Sequence, residues 1–210
     1  VERIVVDPAR PDGSLLARAA AVIRAGGIVA FPTDTLYGLA ADPFNAAAVR
    51  RVFEAKERPS GLALPLVAAD RAQVVSQIGP LTPLALRLAE QFWPGPLTIL
   101  MRAPRAMAAG VSSDAGKVGV RVPAHAVARE LCRSAGSVLV ATSANPSGRP
   151  ATTNPTDVQA SMGGSIDMLI DSGPTALVQP STIVDATGDE VQLIRAGAIP
   201  WEEIEACLQA

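Results

Sequence analysis

The sequence predicts an α/β fold in which a mixed sheet is covered by helices. Short runs rich in β-branched and aliphatic residues alternate with helical patterns along the whole chain. Hydrophobic residues make up 49% of the 210, enough to bury one sizeable core, so residues 1–210 are expected to form a single domain. Short connections such as Ser112 to Gly116 allow hairpins as well as crossovers, which favours a mixed sheet over a purely parallel one.

The elements follow in order. Ile4 to Val6 reads as a strand, and Ser14 to Ala25 carries Leu15, Leu16, Ala19, Val22 and Ile23 at helical spacing. Ser14 is placed to cap that helix and Gly26-Gly27 to end it. Then come a strand at Ile28 to Phe31, a helix at Ala46 to Lys56, a strand at Leu64 to Val67 and a helix at Pro83 to Phe92. Strands at Leu97 to Met101 and Val118 to Val122 precede a helix at Ala124 to Ser134 and a strand at Val138 to Ala141. The chain continues with a helix at Asp157 to Met162 and strands at Met168 to Ile170, Ser181 to Val184 and Val191 to Ile194. It finishes on a helix at Trp201 to Leu208. No internal repeat or low-complexity tail interrupts this order.

Composition narrows the function classes. A formal net charge of -2 argues against a surface coated in positive charge but leaves room for a local basic patch. Cys132, Cys207 and the single histidine, His125, show no metal-ligand spacing, so no protein metal site is expected. Val1 to Gly13 lacks the charged leader and long apolar region of a signal peptide, and no run reaches the roughly 20 apolar residues that span a bilayer. The chain reads as cytoplasmic, with no membrane partner.

Hydroxyls and cations gather at the ends of the expected strands. Phe31-Pro32-Thr33-Asp34-Thr35-Leu36-Tyr37-Gly38 follows a buried strand, the position where open α/β sheets bind ligands, although such residues also make ordinary turns. Lys56-Glu57-Arg58-Pro59 either sets cations against a helix C-terminus or forms a phosphate clamp, with Arg as a planar fork and Lys as a point charge. Lys117, Gly119 and Arg121 share one side of a strand by period-two alternation, and the two cations need either a structural carboxylate or a ligand anion. Ser143 and Asn145 follow an apolar strand and can hydrogen-bond ligand oxygens, whereas His125 gives no clear Ser-His-Asp triad. Ser181 opens one strand and Arg195 ends another. With no Walker A and no Gly-x-Gly-x-x-Gly sequence, a nucleotide would be held by side chains from several strands.

Seven segments in this order resemble the YrdC-like threonylcarbamoyl-AMP synthase family. They are Phe-Pro-Thr-Asp-Thr-Leu-Tyr-Gly-Leu from Phe31, Lys-Glu-Arg-Pro from Lys56, Phe-Trp-Pro-Gly-Pro-Leu-Thr from Phe92 and Val-Gly-Val-Arg-Val-Pro from Val118. Thr-Ser-Ala-Asn-Pro-Ser-Gly from Thr142, Ser-Thr-Ile-Val-Asp from Ser181 and Ile-Arg-Ala-Gly-Ala-Ile from Ile194 complete the set. The resemblance implies a twisted α/β sheet of the YrdC-like (DHBP-synthase-like) type with a concave, locally positive cavity. There threonine and bicarbonate form a carbamate that attacks the α-phosphate of ATP, releasing pyrophosphate and leaving threonylcarbamoyl-AMP for tRNA modification. By matched positions, Thr35, Arg121, Ser143 and Ser181 would hold threonine. Lys56, Arg58, Lys117, Asn145, Thr153 and Arg195 would face ATP, with Lys56 and Arg58 as the catalytic cations. Mg2+ would be bound mainly through the triphosphate. Implied partners are tRNA-modifying enzymes that use the adenylate, and weak binding of tRNA or double-stranded RNA.

The chain departs from the family pattern after Arg58-Pro59. Many members continue with an Asn, and some place a His five residues later; Leu62 and Val67 stand at those places here. The sequence ends soon after Arg195-Ala196-Gly197, as expected of the short, single-domain form. Two other readings share features with the first. An RNA-binding module would use the basic cavity without catalysis, and a carbamoyltransferase using carbamoyl-AMP would ignore threonine.

Overall fold

Backbone pairing sorts the strands into two mixed sheets rather than the one expected. The computed structural model describes residues 1–57, 63–104, 106–176 and 179–209. In chain order the elements begin with β1 (Glu2–Val5), α1 (Gly13–Arg24), β2 (Val29–Phe31), β3 (Gly38–Ala40), α2 (Ala46–Ala55) and β4 (Leu66–Val67). Next come α3 (Arg71–Gln77), α4 (Pro83–Phe92), β5 (Leu97–Arg102), β6 (Lys117–Arg121), α5 (Ala126–Ala135) and β7 (Leu139–Val140). The last are β8 (Thr142–Ser143), α6 (Pro155–Met162), β9 (Met168–Asp171), β10 (Thr182–Asp185), β11 (Gln192–Arg195) and α7 (Trp201–Gln209).

One sheet has the order β1-β9-β2-β3-β8 and the other β11-β10-β5-β6-β4-β7. Each combines parallel pairs, such as β2 with β9 and β5 with β10, and antiparallel pairs, such as β2 with β3 and β5 with β6. The chain passes from one sheet to the other through Ala141, between β7 and β8.

Several strands are buried on both faces, which is why they read as unbroken apolar runs. In β2, Val29 and Phe31 pack with Leu16, Ala19 and Ile23 of α1 and Leu131 of α5, while Ala30 turns to the central core. Met168 and Ile170 of β9 follow the first pair and Leu169 the second. A third cluster joins Leu88 of α4 and Ile204 of α7 to Leu97, Ile99 and Val184 of β5 and β10. Each fully buried Leu or Ile of this kind contributes about 1.5–3 kcal/mol relative to exposure. Strand β6 is one-sided: Val118 and Val120 enter the central core, and Lys117, Gly119 and Arg121 lie on the opposite side.

The cap of α1 differs from the expectation. Asp12, not Ser14, is the N-cap, its carboxylate accepting from Ser14 N (2.8 Å) and Leu15 N (3.4 Å). The Ser14 hydroxyl itself bonds Asp12 Oδ1 at 2.7 Å, so the ionised acceptor two residues earlier takes the role. Other ends follow ordinary chemistry, with Asn45 capping α2, and Thr82 and Asn154 capping α4 and α6 ahead of a proline. No helix among the described residues is long and apolar enough to cross a membrane.

Candidate functional site

The free side of β6 forms part of the wall of a cavity of about 590 Å³. Gly119 and Arg121 line it from β6, Thr98 and Leu100 from β5, Ile183 from β10, and Ile194 and Arg195 from β11. The opposite wall comes from the segment after β2, including Thr33 and Thr35, and from Ser143 of β8. Alternation explains the floor. Thr98 and Leu100 face away from Leu97 and Ile99, which sit in the third core cluster. Gly119 keeps that floor open, since a Cβ there would lie 2.9 Å from Thr98 Cγ2.

Arg121 is 7% exposed, and its Nη1 donates to Thr35 Oγ1 at 3.2 Å with Asp34 Oδ1 at 3.6 Å. Burial pulls the guanidinium below the ordinary arginine pKa, Asp34 raises it, and Arg195 lowers it again. Thr35 is held from several sides. Thr175 Oγ1 donates to its carbonyl (2.8 Å), and its amide donates to Thr33 Oγ1 (3.1 Å). Thr33 gives its hydroxyl proton to Leu36 O (2.7 Å), so the 3.0 Å contact between the two hydroxyls assigns the proton to Thr35. Thr35 Oγ1 is thus both donor to Thr33 and acceptor from Arg121.

Across the cavity, Arg195 Nη2 donates to Ser181 O (2.6 Å) and Oγ (3.2 Å), and Ser181 Oγ shares a 2.8 Å hydrogen bond with Thr98 Oγ1. Gly197 lets β11 close over this point. A Cβ there would meet Pro180 O and Ser181 O at 2.5 Å. The structure therefore brings Thr35, Arg121, Ser143, Ser181 and Arg195 to one cavity, as their strand-end positions suggested. The described lining contains these two guanidinium groups and no carboxylate.

Of the other expected site residues, Lys56, Lys117, Asn145 and Thr153 are not part of the described lining. Lys56 is 3% exposed and outside the described lining, its Nζ donating to Ser143 O (2.5 Å) and Asn145 O (2.7 Å). Ser147 N in turn donates to Lys56 O at 2.7 Å, so Lys56 gathers the 143–147 loop. Asn145 Nδ2 donates to Pro146 O (2.9 Å) and Arg149 O (2.6 Å), stiffening the same loop. Lys117 finds a structural carboxylate, Asp185 Oδ2, at 2.5 Å. Burial pushes the Asp185 carboxyl up, but the bonds from Lys117 and Thr187 outweigh it, leaving the carboxyl below its ordinary value. Thr153 is half-buried, and its carbonyl accepts from Thr175 N (3.0 Å). Arg58 and Leu62 lie outside the described residues. Val67 is 1% exposed and lines the cavity.

Sequence reasoning passed over Thr98, whose signal was the alternation of β5, and gave Tyr37 no separate role. Tyr37 is an anchor: its hydroxyl donates to Gly173 O (2.8 Å) and accepts from Ser172 N (3.2 Å). Burial raises its pKa to about 12. His125 stands at the N-cap of α5 without a side-chain cap bond, and burial lowers its pKa, against the pull of Asp34. No group of three or more His, Cys, Asp or Glu among the described residues is arranged to hold a metal ion.

Residues 21–197 match the Sua5_yciO_yrdC family, described as "Telomere recombination". A threonylcarbamoyl-AMP synthase of Bacillus subtilis (strain 168) is 38% identical over 205 residues, covering 97% of this chain and 59% of that protein. A threonylcarbamoyl-AMP synthase of Halorhodospira halophila is 39% identical over 167 residues, covering 80% of this chain and 87% of that protein. The crystal structure of P. abyssi Sua5 complexed with L-threonine superposes with a TM-score of 0.93 at 36% identity, covering 99% of this chain. The chain spans 61% of that P. abyssi protein.

Proposed function

This chain belongs to the Sua5/YciO/YrdC family, and from that premise we propose that it is a nucleotidyltransferase making threonylcarbamoyl-AMP from ATP, L-threonine and bicarbonate. The observation that carries the reading is the convergence of Arg121 and Arg195, from separate strands, on one cavity with hydroxyls beside each. A small amino acid needs a carboxylate receptor and hydroxyl partners, and a triphosphate needs a separate cation.

In this reading Arg121, Thr35, Ser143 and Ser181 hold threonine, and Arg195 faces the phosphates. Threonine nitrogen adds to bicarbonate carbon with loss of water, and the carbamate oxygen then attacks the α-phosphate. The bond to the β-phosphate breaks and pyrophosphate leaves. Bicarbonate or a substrate phosphate takes the amine proton. Lys56 and Arg58 are the proposed cations for the charge that develops at phosphorus. Lys56 also holds the carbonyls of Ser143 and Asn145, so it sets the loop from which those residues act. Lys117, Asn145 and Thr153 are proposed to support the nucleotide end. Because the described lining has no carboxylate, Mg2+ would arrive on ATP and take few protein ligands. The adenylate would pass in the cytoplasm to tRNA-modifying enzymes, with weak RNA binding at most.

The test is pyrophosphate release by the purified chain. Release is expected only when ATP, threonine and bicarbonate are all present. Release without threonine would sink the reading and favour a carbamoyltransferase.

A further inference from the structure

Asp34 is a buried charge that its own hydrogen bonds do not explain. Both carboxylate oxygens are sealed from solvent and make no hydrogen bond. The cation paired with it is Arg121, with Nη1 3.6 Å from Oδ1, beyond hydrogen-bonding distance. Asp34 is absent from the described cavity lining, while its neighbours Thr33 and Thr35 are part of it. The bonds from Thr33 to Leu36 and from Thr175 to Thr35 fix this turn, so backbone contacts determine where the carboxylate sits. Removing a carboxylate from water without hydrogen bonds is costly, and such a placement asks for a purpose.

The two guanidinium groups of the cavity differ in one respect. Arg121 has a carboxylate behind it, whereas the described contacts of Arg195 are the neutral carbonyl and hydroxyl of Ser181. An anion arriving at Arg121 therefore meets a charge already partly balanced by Asp34, and one arriving at Arg195 does not. Repulsion from Asp34 scales with the ligand's charge, and its carboxylate oxygens are sealed from the solvent that would screen them. A single carboxylate is opposed weakly and a pyrophosphate group several times more.

We propose that Asp34 is a specificity-determining residue that reserves the Arg121 end of the cavity for a singly charged carboxylate and keeps phosphate groups at the Arg195 end. The inference rests on the reading of the cavity as a joint threonine and triphosphate site. Asp34 touches neither ligand and acts through Arg121 and through its field. Any change in the orientation of Arg121 would affect both classes of anion, so the ratio of their affinities isolates the charge.

The experiment is calorimetric titration of L-threonine into the full chain, with and without inorganic pyrophosphate. In the wild type, pyrophosphate should leave the threonine Kd within about twofold. In Asp34→Asn, it should compete, raising the apparent Kd by about fivefold or more at the same concentration. Asp34→Glu, which keeps the charge, should retain the wild-type indifference. Competition in the wild type, indifference in Asp34→Asn, or equal competition in both variants would overturn the inference. If Asp34→Asn does not fold, Asp34→Ser, which also removes the charge, takes its place: competition in it supports the inference and indifference overturns it. A wild-type chain that binds no threonine at all would instead remove the functional reading on which this rests.

Discussion

Arg121 carries the largest consequence of any single residue, because its guanidinium is nearly sealed yet lines the cavity. A desolvated charge-assisted hydrogen bond is worth about 1.5–3 kcal/mol, so Arg121→Ala should raise the threonine KM by about tenfold or more. Steady-state kinetics with ATP saturating would read this, and an unchanged KM would place threonine elsewhere. Arg58→Ala should lower turnover by more than about tenfold if its charge meets phosphate, measured on a variant shown to fold. Arg121 was legible in the sequence, since period-two alternation on a short strand fixes which side it takes. The clamp made by Lys56 was not. Its partners are backbone carbonyls of residues 143 and 145, and no residue-type pattern marks a carbonyl distant in the chain as an acceptor. Asp34 was visible only as part of a turn, because isolation from hydrogen bonds is a property of the folded surroundings.

Elements differ in how plainly their residues announced them. Strands buried on both faces, such as β2 and β9, and helices with a full apolar stripe, such as α1, were found to within a residue or two. Helix α3 was passed over because only Val74 of its seven residues is buried, leaving no stripe to read. Strands β3 and β8 were passed over because one starts on Gly38 and the other is the two-residue Thr142–Ser143, and their pairing with each other supplies the missing signal. The segment that leaves β11 makes a prediction at this scale. In Gly197→Ala the new Cβ would lie 2.5 Å from backbone atoms of Pro180 and Ser181, so the segment must move. Overpacking of this kind costs about 1–3 kcal/mol, and thermal melting should show a Tm lower by several degrees. Arg195 would shift with β11, so the ATP KM should rise as well. A variant with wild-type Tm and ATP KM would show that the segment is more yielding than its contacts indicate.

At the scale of the whole molecule, the expected order of strands and helices was right, but their division into two sheets was not legible. That division depends on which strands pair, and residues such as Leu139–Val140 and Thr142–Ser143 join different sheets from one continuous stretch of chain. The assembled fold also has a definite response to acid. His125, pushed below its ordinary 6.5 chiefly by burial, resists protonation in the folded state, so stability begins to fall as pH drops through that value. Asp167 and Asp185, held below the ordinary 3.8 by Arg51 and Lys117 against burial, contribute stability above that value. That contribution is lost as pH falls through their lower folded values. Tm should therefore decline in two stages on acidification, and His125→Gln should remove the first stage alone. The most direct test of the central claim is a crystal structure of this chain with L-threonine and a non-hydrolysable ATP analogue. The threonine carboxylate should lie within hydrogen-bonding distance of Arg121 and the triphosphate at the Arg195 end of the same cavity. Phosphate on Arg121, or threonine bound outside the cavity, would contradict it.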